Sequence, residues 1–86
     1  MKTIWKFELR IETTQEISIP KEYKILSVGV VKDIAYMWVE ITGDISKTQK
    51  VKILTIPTGV EYSENAEFIG TLLYKDGEIV QHVFKI

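Results

Sequence analysis

Hydrophobic and polar residues alternate with the two-residue period of β-strands through most of this chain. A predicted hairpin from Lys24 to Thr42 organises the pattern, because two runs rich in β-branched and aromatic residues flank the polar pair Lys32-Asp33. The return run is apolar on both faces, with Ile34, Tyr36 and Trp38 on one and Ala35, Met37, Val39 and Ile41 on the other. Such a strand belongs inside a fold or at a subunit interface.

Five further segments carry strand signals. The opening segment alternates cleanly and places Trp5, Phe7, Leu9 and Ile11 on one face. The others run from Gln15 to Ile19, from Gln49 to Ile56, from Phe68 to Tyr74 and from Ile79 to Ile86. In the last of these, Val80, His82, Phe84 and Ile86 share a face.

Three positions predict how the strands end or bend. Pro20 has no N–H for a ladder and therefore marks a strand end or a sheet edge. Asp76-Gly77 predicts a hairpin, because Gly accepts the positive φ of a primed turn. Gly29 lies inside a strand and marks either a bulge or a close backbone approach.

Seven strands without a helical period predict a single all-β domain over residues 1–86, mostly antiparallel. The pattern fits a small sandwich or a partly open barrel. A domain of this length buries only roughly 60–65% of its unfolded surface, and without cysteines it has no disulfide or thiolate zinc site. A partner subunit would add stability, so we expect a homo-oligomer, with a dimer the simplest case.

The charge balance bears on partners and location. Eleven Lys and Arg residues against twelve Asp and Glu give a net charge of −1, which argues against binding duplex nucleic acid through a basic face. No run reaches the length of a membrane span, and the opening residues lack a signal-peptide core. We therefore expect a soluble cytosolic protein that does not bind membranes, and the absence of cysteine agrees with this.

Candidate catalytic groups are scarce in the sequence. His82 is the single histidine, without a nearby Cys or carboxylate pair, which predicts no metal site and favours a packed core or interface imidazole. No serine has the flanking glycines of a nucleophile elbow, and Gly-rich phosphate motifs are absent. We expect a protein that is not an enzyme and needs no cofactor.

Charged residues cluster between 45 and 67. The basic residues Lys47, Lys50 and Lys52 lie in a stretch without acids, and Glu61, Glu64 and Glu67 follow without a base. This is either an ordinary solvated mixture or an anion-attracting patch beside an acidic loop. Thr58-Gly59 is either a plain turn or one that presents N–H groups and a hydroxyl to a phosphate.

Aromatic residues offer a second candidate function. Trp5, Tyr36, Trp38, Tyr62 and Phe68 are typical core residues, but one or two of them at a pocket mouth would stack on a nucleobase. The predicted ligand-binding residues are therefore Trp5, Trp38, Lys50, Lys52, Thr58, Gly59 and Tyr62.

Short segments follow one another in a distinctive order along the chain. They are Lys2-Thr3-Ile4-Trp5-Lys6-Phe7, Ile19-Pro20, Ile25-Leu26-Ser27-Val28, Trp38, Thr58-Gly59, Phe68-Ile69-Gly70-Thr71 and His82-Val83-Phe84. In these segments the chain resembles a family of small, largely uncharacterised proteins common in bacteriophage genomes. Members of that family tend to carry Gly-Thr-Gly-His where this chain has Pro57-Thr58-Gly59-Val60.

The resemblance implies a phage protein acting in the host cytosol. A fitting role is a non-enzymatic protein that counters host defence by sequestering a nucleotide-derived immune signal, an anionic small molecule, at a subunit interface. Two alternatives stay open. The protein is an interaction module that blocks a host protein through its edge strands, or it is a structural or assembly component of the phage.

Overall fold

Seven antiparallel strands form two sheets that pack face to face. The structure, a computed structural model, describes all 86 residues. The strands are β1 (Lys2–Leu9), β2 (Thr14–Pro20), β3 (Tyr23–Val31), β4 (Ile34–Thr42), β5 (Thr48–Pro57), β6 (Glu67–Tyr74) and β7 (Ile79–Lys85). Lys75, Asp76 and Gly77 form a turn between β6 and β7 in which all three residues have positive φ, and the chain contains no helix.

The strand order defines the two layers. A three-stranded sheet has the order β1-β4-β3, and a four-stranded sheet has the order β2-β5-β7-β6. Every neighbouring pair is antiparallel. The sheets are stacked and do not close on one another, so the sandwich alternative is confirmed and the barrel is not formed.

The central hairpin forms as predicted. Lys32 and Asp33 both adopt positive φ, at 51° and 65°, as the primed two-residue turn requires. Gly29 marks a close approach, since a Cβ added there would lie 3.1 Å from the Trp38 ring. The bulge of this strand lies instead between Ile25 and Ser27.

The core is one layer of apolar side chains between the sheets. Of the two predicted faces of β4, the one with Ala35, Met37, Val39 and Ile41 lies within it, and Ile34, Tyr36 and Trp38 lie on the opposite, outer face of the three-stranded sheet. Eleven buried residues form the cluster: Leu9, Ile17, Ile19, Ala35, Met37, Val39, Ile41, Val51, Ile53, Leu72 and Val83. No membrane-crossing helix is present, since no helix in the chain has the required length and apolarity.

The prediction for Ile11 is wrong. β1 ends at Leu9, and the Ile11 side chain is 96% exposed. The buried Gln15 amide explains the early end, because its Oε1 accepts from the Arg10 N–H and its Nε2 donates to the Arg10 carbonyl, both at 3.0 Å. These bonds turn the chain at Arg10 instead of extending the strand.

The two sheets approach closely where the edge strands β3 and β6 pack against each other. Gly70 makes this approach possible, because a Cβ there would lie 2.8 Å from Cγ2 of Val28. The strands β1 and β2 form the opposite edges of their sheets, as expected for a strand that ends at Pro20.

Replacing Gly70 should destabilise the fold through this contact. We expect Gly70→Ala to lower the free energy of unfolding by about 1–3 kcal/mol, because Val28 is β-branched and cannot turn aside freely. Chemical denaturation measures the effect. Val28→Ala in the Gly70→Ala background should recover part of the loss, and strictly additive effects of the two changes would contradict the contact.

We expect the phenol of Tyr74, at the end of β6, to lower the free energy of unfolding at high pH. Partial burial against the core raises the pKa of the Tyr74 phenol above its ordinary value of about 10. Above pH of about 10 the unfolded chain therefore releases a proton that the folded chain retains, and the free energy of unfolding falls as pH rises.

Denaturation curves of the wild type and Tyr74→Phe at neutral and alkaline pH test this effect. The variant should lose less stability than the wild type over that interval. Tyr62→Phe, with its side chain 54% exposed, should keep the wild-type fall. Equal falls in the wild type and Tyr74→Phe would contradict the assignment.

Candidate functional site

The histidine of β7 lies on the outer face of the four-stranded sheet and is half-buried there. Its Nε2 is 2.7 Å from the Thr58 hydroxyl oxygen, and its Nδ1 is 3.1 Å from the Thr71 hydroxyl oxygen. Both ring nitrogens of His82 therefore have hydroxyl partners. The interpretation of His82 as a core imidazole is wrong, because its face of β7 points away from the layer between the sheets.

Aromatic rings surround Phe84, which follows His82 on the outer face of β7. Phe84 is buried, and its ring centroid lies 4.3 Å from that of Tyr62 and 5.5 Å from that of Phe68. Tyr62 and Phe68 are each more than half exposed. The segment after β5 thus folds back over the sheet and builds a small second apolar cluster, which also buries Ile56.

A cavity of about 270 Å³ lies beneath this segment and contacts both groups of side chains. We call it the His82 pocket. Its lining consists of Ile56, Pro57, Thr58, Gly59, Val60, Tyr62, Phe68, His82 and Phe84. The volume is close to the lower end of small-molecule sites, about 300 Å³, and suits one flat ring system.

Gly59 leaves the mouth of the pocket open. Its φ of +92° is a conformation that favours glycine, and no atom lies within 4 Å of the position a Cβ would take. Its N–H has no hydrogen-bond acceptor within the chain. A ligand group that approaches this backbone would find both space and a free donor.

Charges around the pocket are distributed unevenly. Lys50 and Lys52 lie on the same outward face of β5 as Ile56, and neither ammonium group forms a salt bridge. At about 3.3 Å per residue, Lys52 lies ~13 Å and Lys50 ~20 Å along the strand from Ile56. The acidic residues Glu61 and Glu64 belong to the covering segment itself.

The structure brings together only part of the predicted site. Thr58, Gly59 and Tyr62 line one pocket, with the two lysines farther along the same face. Trp5 packs against the core, 6.2 Å from the Phe7 ring centroid. Trp38 lies on the outer face of the other sheet, so within one chain neither tryptophan reaches the pocket.

Sequence reasoning missed His82, Phe68 and Phe84 as pocket residues, and Thr71 as a hydrogen-bond partner of the His82 ring. A usable signal was present, because a hairpin centred on Asp76-Gly77 pairs Tyr74 with Ile79 and, by the same count, Thr71 with His82. No local pattern places Thr58 against the ring, since that contact depends on how the irregular segment packs.

A larger cavity, about 300 Å³, lies between the sheets near the β1–β2 turn. Leu9, Leu72, Tyr74 and Ile79 are among its lining residues. Thr55 also lines it, and its hydroxyl is buried without a hydrogen-bond partner. The rings of Tyr62 and Phe68 and the histidine are absent from this cavity.

Comparisons with known proteins return one family. A family model described as Domain of unknown function (DUF7352) matches residues 1–86. No curated protein and no solved structure matches the chain. The chain contains no group of three His, Cys, Asp or Glu side chains arranged to hold a metal ion.

The Thr58–His82 contact should stabilise the covering segment. We expect Thr58→Val to lower the free energy of unfolding by about 1 kcal/mol, because the hydroxyl that bonds Nε2 is lost. Amide hydrogen exchange of residues 58–66 should accelerate, and the nitrogen NMR shifts of the His82 ring should change.

Thr3→Val is the matched control, since Thr3 is exposed on β1 and makes no side-chain hydrogen bond. It should leave the exchange and the ring shifts unchanged. If Thr58→Val also leaves both unchanged, the contact does not anchor the segment.

Proposed function

The chain belongs to the DUF7352 family, and we propose that it is a non-enzymatic binding protein that holds a nucleotide-like anion at the His82 pocket. In the phage setting that the sequence resemblance implies, the ligand is a nucleotide-derived signal of host defence, and binding alone sequesters it. One observation carries the proposal. Exposed aromatic rings, the Thr58 hydroxyl and an imidazole line a single pocket, and Gly59 in the same lining has an unpaired backbone N–H.

The base of the ligand stacks on the aromatic cluster. Tyr62 and Phe68 present ring surface to solvent, while buried Phe84 fixes their positions from below. Stacking of a base on an aromatic side chain contributes about 1–3 kcal/mol and tolerates any base. The Thr58 hydroxyl, held by its contact with the imidazole, supplies a directional contact that distinguishes one base edge from another.

The phosphate of the ligand points along β5 toward Lys52. Negative charge near Glu61 and Glu64 would repel it, whereas Lys52 and Lys50 continue the same face without ion-pair partners. The distance of ~13 Å from Ile56 to Lys52 excludes a contact from a bare base. A ligand that carries sugar and phosphate groups, such as a cyclic dinucleotide, fits this separation better.

Binding without turnover is the favoured activity. Thr58 and His82 lie at the distance of a nucleophile and its general base. The group on Nδ1, however, is the neutral Thr71 hydroxyl, where a hydrolase of this kind uses a carboxylate to stabilise the imidazolium. The pair therefore serves better as a set of fixed hydrogen-bonding groups than as a catalytic unit.

Thermal-shift assays and native mass spectrometry against cyclic dinucleotides and cyclic ADP-ribose isomers test the proposal. We expect one ligand to raise the melting temperature and to bind one molecule per chain. Tyr62→Ala should weaken that ligand about tenfold or more, because one stacking platform is lost. Lys52→Gln should weaken it less at high salt than at low salt, since its contribution is electrostatic.

Tyr36→Ala is the control for the aromatic variant, because Tyr36 lies on the outer face of the other sheet and should not affect binding. The ligand should be recovered unchanged after incubation, and a converted product would contradict the non-enzymatic part. If no compound of the panel raises the melting temperature or binds in native mass spectrometry, the nucleotide ligand is excluded.

Blocking a host protein is a second candidate function, and the free sheet edges favour it. The outward backbone groups of β1 and β2 form no hydrogen bonds within the chain. Such edges accept an added strand from a partner. Recovery of one stoichiometric host protein in a pulldown, together with a silent ligand panel, would favour this function over the first.

A further inference from the structure

We propose that β1 pairs with β1 of a second copy across a two-fold axis, which joins the two three-stranded sheets into one sheet of six strands. This inference goes beyond the proposed function and is independent of it, since the His82 pocket lies on the other sheet. Its basis is the regularity of β1, its uncovered edge and the charges along it.

β1 is a regular edge that contains no proline, glycine or bulge to prevent pairing. Its register with β4 is continuous from Lys2 to Leu9. Half of the backbone groups of an antiparallel edge strand point outward, and those of residues 2–9 have no acceptor or donor in the chain. Such an edge is a template for another strand.

The other three edges differ from β1. β2 ends at a proline, which removes a donor. β3 and β6 each contain a register shift, at Ile25/Ser27 and at Phe68/Gly70, and these two strands pack against each other. Bulges in an edge strand, and packing of another element against it, prevent the strand from pairing with a further chain. β1 is thus the one edge strand with neither a proline nor a register shift.

The faces of β1 restrict the possible registers. In an antiparallel pair, directly opposite residues point to the same side of the sheet. A two-fold axis between two β1 strands must therefore lie between one residue and the same residue of the second copy. With Trp5 on the axis, residues 2–8 of each copy pair with one another. Phe7 on the axis would shorten the pairing to residues 5–9.

Charge and length together select the register with Trp5 on the axis, because Phe7 on the axis would also oppose Lys6 and Glu8 but would pair fewer residues. The Trp5 register places Glu8 opposite Lys2 of the second copy, and the symmetry makes this pair twice. An axis at Lys6 would place two lysines directly opposite, and an axis at Glu8 would place two carboxylates there. Lys2 is free to respond, because its side chain is 70% exposed and its contact with Glu40 is long, at 3.5 Å.

The pairing also covers aromatic surface. Trp5 and Phe7 pack against the core but stay only half-buried, since no strand lies beyond β1 in its sheet. In the proposed register Trp5 meets Trp5 of the second copy on the axis. Aromatic cross-strand pairs of this kind are among the more stabilising ones in sheets.

A cysteine scan tests both the interface and its register, because the natural chain contains no cysteine. Opposite residues in an antiparallel pair have Cα atoms about 4.5–5.5 Å apart, within the range that a disulfide spans. We expect a mixture of Ile4→Cys and Lys6→Cys chains to form a mixed disulfide under mild oxidation. Both positions are exposed on β1, so neither variant should disturb the fold.

Variants with a single cysteine identify the residue that lies on the two-fold axis. Trp5→Cys should cross-link with itself, whereas Phe7→Cys should not, because Thr3 of the second copy faces it. Light scattering at micromolar concentration should give twice the chain mass of 9.9 kDa for the wild type. Glu16→Cys on the outer face of β2 is the control for random cross-linking.

Charge reversal provides an independent measurement. Lys2→Glu or Glu8→Lys alone should weaken dimerisation, and the double variant should restore it, because opposite charges face each other again. A monomeric wild type with no cross-link at any position would overturn the proposal. Cross-linking of Phe7→Cys or Lys6→Cys with itself would overturn the register, as would a double variant weaker than both singles.

Discussion

A single layer of apolar side chains between two sheets holds this protein together, and every other feature depends on how thin that layer is. The molecule measures 39 × 30 × 16 Å, and 16 Å leaves room for two sheets about 10 Å apart and little else. No helix covers either outer face. Outer faces and edges, which larger proteins bury under further layers, are therefore the surfaces on which this one can act.

The irregular segment after β5 is the one part of the chain that covers an outer face. It packs Tyr62 on Phe84 and buries Ile56 outside the main core, while Thr58 bonds to His82. A polar cluster on a sheet face would ordinarily be solvated. Here the covering segment places the Thr58 hydroxyl against the imidazole and, with the neighbouring strands, lines a pocket.

Sequence patterns predicted what depends on neighbours along the chain. Alternation in β4 separated the residues of its two faces correctly, because the pleat fixes side-chain direction locally. Alternation failed at Ile11, where the Gln15 side chain competes with the ladder for the Arg10 backbone. It also could not place Trp5 and Trp38 relative to the pocket, because strand order is a non-local property.

The residues that line the His82 pocket all belong to one chain. They come from β5, β6, β7 and the covering segment, and one chain supplies a complete set of rings, hydroxyls and imidazole. The unpaired edge of β1 belongs to the other sheet and lies beyond β4. Pairing at that edge would leave the pocket's surroundings unchanged, so each copy would bind its own ligand, and association would add stability to a thin core without altering affinity.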